Sequence, residues 1–142
     1  LVAALFGAKI GKDIALGGHL VDPELITIGD EAIIGQGSVV SAHTITSGRL
    51  ILSPVVIGPR ATVGVNAVVM SGVEIGADSV LTAGSVVPPD TKIPAGELWG
   101  GIPAARIKQL EAALKAYSRS LSSLWKPARR QQRFDIFQPQ VI

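Results

Sequence analysis

Aliphatic residues recur along this chain at a spacing of six. One series runs Ile10, Leu16, Ile28, Ile34, Val40; a second runs Ile51, Ile57, Val63, Val69, Ile75, Leu81, Val87, Ile93. Asp22 fills the polar exception in the first series. Six matches neither the 3.6-residue period of a helix nor the two-residue alternation of a strand. It suits a coil made of three short flat strands per turn, with the recurring aliphatic pointing inward onto its counterpart in the next turn. Small residues two positions earlier, Ala32, Ser38, Ala61, Ala67, Ser79 and Ser85, let the backbone bend at the corners. One turn cannot bury its inner face, but several stacked turns make a continuous core.

The composition agrees. Hydrophobic residues make up 47% of the chain and aromatic residues only 4%, so the core must be built from Val, Ile, Leu and Ala. Bulky rings do not fit a narrow prism. A β-sandwich would instead show strict alternation and hairpin dipeptides, which are scarce here. The chain has no cysteine, which excludes disulfides and thiolate metal sites. No stretch reads as a signal peptide or a membrane span, so a cytoplasmic protein away from membranes is expected. The net charge is only +2, with the basic excess late, at Arg129, Arg130 and Arg133, and no nucleic-acid footprint.

Pro88, Pro89, Pro94, Gly96, Gly100, Gly101 and Pro103 interrupt the regular coil. Beyond them, Ile107, Leu110, Leu114, Tyr117, Leu121 and Leu124 recur at steps of three and four, which predicts a helix with one apolar seam. Pro127 ends it. The expected organisation is a coil over 1–103, a helix over 104–126 and an extended basic tail over 127–142. Phe134, Ile136 and Phe137 give the tail something to dock with.

The aliphatic-Gly hexads resemble the hexapeptide-repeat family. That resemblance implies an all-β solenoid, a left-handed parallel β-helix, over about 8–108; the hand comes from the resemblance, not from the spacing. The two series are also out of phase. Val40 to Ile51 is eleven residues, one short of two hexads. A prism tolerates such a slip only where the chain leaves it in a loop, and loops on a rigid solenoid are where chemistry is displayed. The break holds His43, one of two histidines. A near-neutral imidazole can take a proton from a hydroxyl or amine.

Around the break the order His43, then a loop, then Pro54 and Ile57-Gly58, resembles the hexapeptide acyltransferases, such as the galactoside and maltose acetyltransferases. The ending "ELWGGIPA" is similar to acyltransferase-like domains appended to some nonribosomal peptide synthetases. The resemblance implies an acetyl-CoA-dependent acetyltransferase acting on a small-molecule hydroxyl or amine, with His43 as general base, no metal, and a homotrimer with sites between subunits. It also implies cofactor contacts at Val65, Ala83, Gly84 and Ser85, with Arg106 and Lys108 toward the adenosine phosphates. Asp22, Glu24 and Arg49 are candidates for the acceptor side; Asp22, Glu24 and Asp30 are candidates to orient His43. Asp22 also reads as a turn residue before Pro23.

The family Asn before the His is replaced by Gly17-Gly18-His19, a family Trp by Thr62, and the loop after His43 is shorter, so a sugar acceptor is not indicated. Two other functions share the fold: a non-catalytic scaffold, and a γ-class carbonic anhydrase, whose zinc needs three His where this chain has His19 and His43.

Overall fold

A computed structural model describes residues 2–110. After a short helix α1 (Val2–Leu5), the chain winds through three parallel sheets that form the faces of a prism. The first face stacks β1 (Lys9–Ile10), β4 (Ile26–Ile28), β9 (Val55–Ile57), β12 (Glu74–Ile75) and β15 (Lys92–Ile93). The second stacks β2 (Ala15–Leu16), β5 (Ile33–Ile34), β10 (Thr62–Val63), β13 (Val80–Leu81) and β16 (Glu97–Gly101). The third stacks β3 (His19–Val21), β6 (Val39–Ser41), β11 (Val68–Val69) and β14 (Val86–Val87).

The aliphatic series supplies the register. Ile10, Ile28, Ile57, Ile75 and Ile93 pair in line on the first face. Leu16, Ile34, Val63, Leu81 and Trp99 do so on the second. From Ile28 onward the paired aliphatics are buried, as are Ala32, Ser38, Ala61, Ala67, Ser79 and Ser85 at the corners. Each fully buried aliphatic contributes about 1.5–3 kcal/mol, which is how so aromatic-poor a chain holds a core. Trp99 is accommodated at the last turn, only partly buried against that core.

Three expectations are corrected. The inward position on the first turn of the third face is Leu20, paired with Val40, and not Asp22. The Gly17-Gly18 corner is two residues short and runs so close to the next turn that a Cβ on Gly18 would meet the Ser38 hydroxyl and carbonyl. A 3-10 turn, Pro23–Leu25, restores the missing length before β4.

Ile51 also does not point inward. It belongs to a hairpin of β7 (His43–Thr46) and β8 (Arg49–Leu52) and is 45% exposed. The phase slip is therefore filled by an ordered ribbon rather than an irregular loop. Ser47 and Gly48, both at positive φ, make the tight turn whose twist matches two antiparallel strands.

Finally, the segment expected to open a helix at 104 is a strand. After a turn through Gly101 and the cis Ile102–Pro103 peptide, β17 (Ala104–Gln109) runs back antiparallel along β16 and covers that edge of the second face. Ile107 is exposed there and contributes to no helical seam. The rest of the expected helix, 111–126, and the tail, 127–142, lie outside the described residues.

Candidate active site

The chain passes from the third face to the first at one corner of the prism, and the hairpin leaves from that corner. β6 ends at Ser41, Ala42 is buried in the core, and His43 is the first residue of the ribbon. The His43 amide lies 3.4 Å from the Ser41 Oγ, which in turn donates to the His43 carbonyl at 3.2 Å. The Ser53 amide donates to the Ala42 carbonyl at 2.8 Å and closes the hairpin root.

Asp22 occupies the same corner one turn earlier, directly after β3. Its backbone is left-handed (φ 62°, ψ 60°), a conformation that Asp tolerates better than most residues. Its Oδ2 lies 2.5 Å from the His43 Nδ1. A carboxylate can only accept, so in the neutral imidazole this contact places the proton on Nδ1 and the lone pair on Nε2. The two side chains are 31% and 26% exposed, enough for an acceptor to reach the ring. Asp22 is thus the residue that leads into the 3-10 turn, and its carboxylate touches the His43 ring. On the other side of the hairpin, the Thr44 Oγ1 lies 2.5 Å from the Ser71 Oγ, one turn later.

The remaining candidates are dispersed. Glu24 is exposed in the 3-10 turn and Asp30 accepts the Lys12 amide at 2.8 Å; among the described residues the carboxylate bonded to the His43 ring is that of Asp22. Arg49 stands beside the hairpin tip, opposite Thr46 and on the ribbon face away from His43. His19 is exposed at the start of β3.

Val65, Ala83 and Gly84 sit at the corner between the second and third faces, the opposite end of the third-face strands from His43. One chain does not bring them to the imidazole. Val65 and Ala83 are exposed, and neither amide N–H enters a hydrogen bond among the described residues. The Ser85 side chain is buried, with its hydroxyl 2.8 Å from the Thr82 Oγ1 and accepting the Gly101 amide at 3.2 Å. It holds the corner and presents nothing outward.

Arg106 is already partnered. Its Nε donates to the Glu97 Oε1 at 2.9 Å, while the Trp99 indole donates to the Glu97 Oε2 at 2.8 Å. Sequence reasoning missed Glu97, which is buried and satisfied by these two donors. Lys108 is exposed on β17. Among the described residues no cluster of three His, Cys, Asp or Glu side chains could hold a metal ion. No described helix is long and apolar enough to cross a membrane.

The family described as the hexapeptide repeat of succinyl-transferase matches residues 54–89. The chain is 37% identical over 93 residues to the 2,3,4,5-tetrahydropyridine-2,6-dicarboxylate N-acetyltransferase of Clostridium perfringens, covering 66% of this chain and 37% of that protein. It is 30% identical over 114 residues to a δ-poly-L-ornithine synthetase of Acinetobacter baumannii, covering 80% of this chain and 9% of that one. The chain thus spans well under two thirds of these curated relatives. A hexapeptide-repeat acetyltransferase of Vibrio cholerae, solved with acetyl coenzyme A, superposes with a TM-score of 0.68 at 31% identity, over 73% of this chain and 61% of that one. By its repeat and its stacked coil, the chain is a left-handed parallel β-helix built of hexapeptide repeats, similar in fold to these acetyltransferases.

Proposed function

We propose that this chain is a coenzyme A-dependent acetyltransferase in which His43 is the general base. The observation that carries the reading is the 2.5 Å contact between His43 Nδ1 and Asp22 Oδ2 at the corner where the hairpin leaves the coil. An imidazole fixed through Nδ1, with Nε2 open, is built to accept a proton. The likeness to an acetyltransferase solved with acetyl coenzyme A supplies the donor.

In the reaction, Nε2 takes the proton of an acceptor hydroxyl or amine as its O or N attacks the thioester carbonyl. The tetrahedral intermediate collapses with cleavage of the C–S bond, and the leaving thiolate takes the proton back from Nε2. Asp22 keeps the ring in the right tautomer and stabilises the imidazolium that forms between these steps.

The unpaired amides of Val65 and Ala83 are the proposed donors to the thioester and pantetheine, with Gly84 allowing close approach. They reach His43 only from a neighbouring copy, in a homotrimer. The exposed Ile45, Leu50, Ile51 and Leu52 of the hairpin support an apolar subunit contact. Lys108, rather than the already paired Arg106, is the freer cation for the adenosine phosphates. The acceptor is a small molecule bearing a hydroxyl or amine.

The test is transfer from labelled acetyl coenzyme A to a panel of small alcohols and amines, and to water. His43→Ala is expected to lower the rate by about 10²–10⁴-fold. An unchanged rate would remove His43 from the chemistry.

A further inference from the structure

Ser71 belongs to no motif. It lies at the third-to-first-face corner, two residues past Val69, and is 2% exposed. In the adjacent turns the same slot is filled by Ala42, two past Val40, and by Pro89, two past Val87. Neither carries a hydroxyl, so the coil itself does not require one here. The Ser71 hydroxyl is instead paired with Thr44, the residue next to His43, across 27 residues of sequence. Further along, the Gly72 amide donates to the carbonyl of Ser53, the residue just past the exit strand of the same hairpin, at 3.1 Å.

A two-stranded ribbon has little stability of its own, so its root contacts decide where it stands. The contacts of this root run to both neighbouring turns. The earlier turn holds the His43 ring through Asp22. The later turn holds the backbone beside His43 through Ser71 and Thr44. Loss of the Ser71 hydroxyl leaves Thr44 without its partner and frees the root to shift relative to Asp22.

We propose that Ser71, through Thr44, is a positioning residue that keeps the His43 imidazole seated on Asp22. Its kinetic consequence rests on the acetyl-transfer reading; the seating of the ring does not. A displacement of the base by even a fraction of an ångström costs rate without weakening donor binding.

The experiment compares wild type with Ser71→Ala, Thr44→Val, the double variant and Ser71→Thr. One readout is thiol release from acetyl coenzyme A with water as the acceptor. The other is the NMR signal of the His43 Nδ1 proton, which is sharp only while the ring is held on Asp22.

Ser71→Ala and Thr44→Val should each lower kcat about tenfold, with KM for acetyl coenzyme A within about twofold of wild type. The double variant should be no worse than either single one, because both remove the same bond. Ser71→Thr should retain most of the rate. The Nδ1 proton should broaden in Ser71→Ala and stay sharp in Ser71→Thr, with the melting temperature of the coil unchanged. Wild-type kinetics and a sharp signal in Ser71→Ala would overturn the proposal, as would a loss that merely follows the melting temperature. If wild type itself releases no thiol to water, the acetyl-transfer reading is judged by transfer to the alcohols and amines above. The proton signal then decides alone: broadening upholds the positioning role and a sharp line overturns it.

Discussion

At position 22 the chain needs a residue that tolerates a left-handed backbone and ends in a carboxylate able to reach His43. Asp meets both needs, and the Asp22–Pro23 step directs the chain into the turn that restores the coil length. Asn would keep the backbone but, in place of a charge, would offer an amide that can turn either its oxygen or its nitrogen to the ring. Asp22→Asn is therefore expected to leave the fold and melting temperature nearly unchanged while lowering the acetyl-transfer rate by about ten- to a hundredfold. Steady-state kinetics beside thermal unfolding check this. A rate equal to wild type would mean that the carboxylate serves only the turn. Residue-scale readings from sequence were uneven for a physical reason. His43 stood out because it interrupts a strict period. Ser71 and Glu97 did not, because their partners, Thr44 and Arg106, are brought to them only by the winding of the coil and the reversal into β17.

Most strands were legible from the six-residue period, which reports directly on which side chains face the axis. It failed where the chain stops obeying the coil. Ile51 continues the numerical series yet stands in the hairpin, while Ile57, one step later, is buried in the core. Ile57→Ala should destabilise the chain by about 2–5 kcal/mol, measured by denaturant unfolding, because a rigid prism cannot collapse around the cavity. Ile51→Ala opens no cavity within the chain and should cost clearly less than Ile57→Ala in the same assay. Equal losses would mean that the hairpin is packed into the core after all. The reading of 104–109 as the opening of a helix failed for a related reason. The apolar steps of three and four are real, but β16 offers an open edge to Ala104–Gln109, and pairing with it satisfies backbone groups that would otherwise face water.

On the scale of the whole molecule, the proposed acetyl transfer draws on two separate corners of the coil. One corner holds the His43 ring against Asp22, and another carries the unbonded amides of Val65 and Ala83. The surface charges that decorate the coil are modest structural features. The Arg60–Asp78 pair spans two turns, and its hydrogen bond holds the Asp78 carboxyl below the usual range, but both groups are half exposed. The central claim is that His43 faces the acyl donor. It is tested most directly by a crystal structure of the protein with coenzyme A bound. The thiol sulfur is expected within about 4 Å of the His43 Nε2, with the pantetheine along Val65 and Ala83 of an adjacent copy. Coenzyme A bound away from His43, or no binding at millimolar concentration, would contradict it.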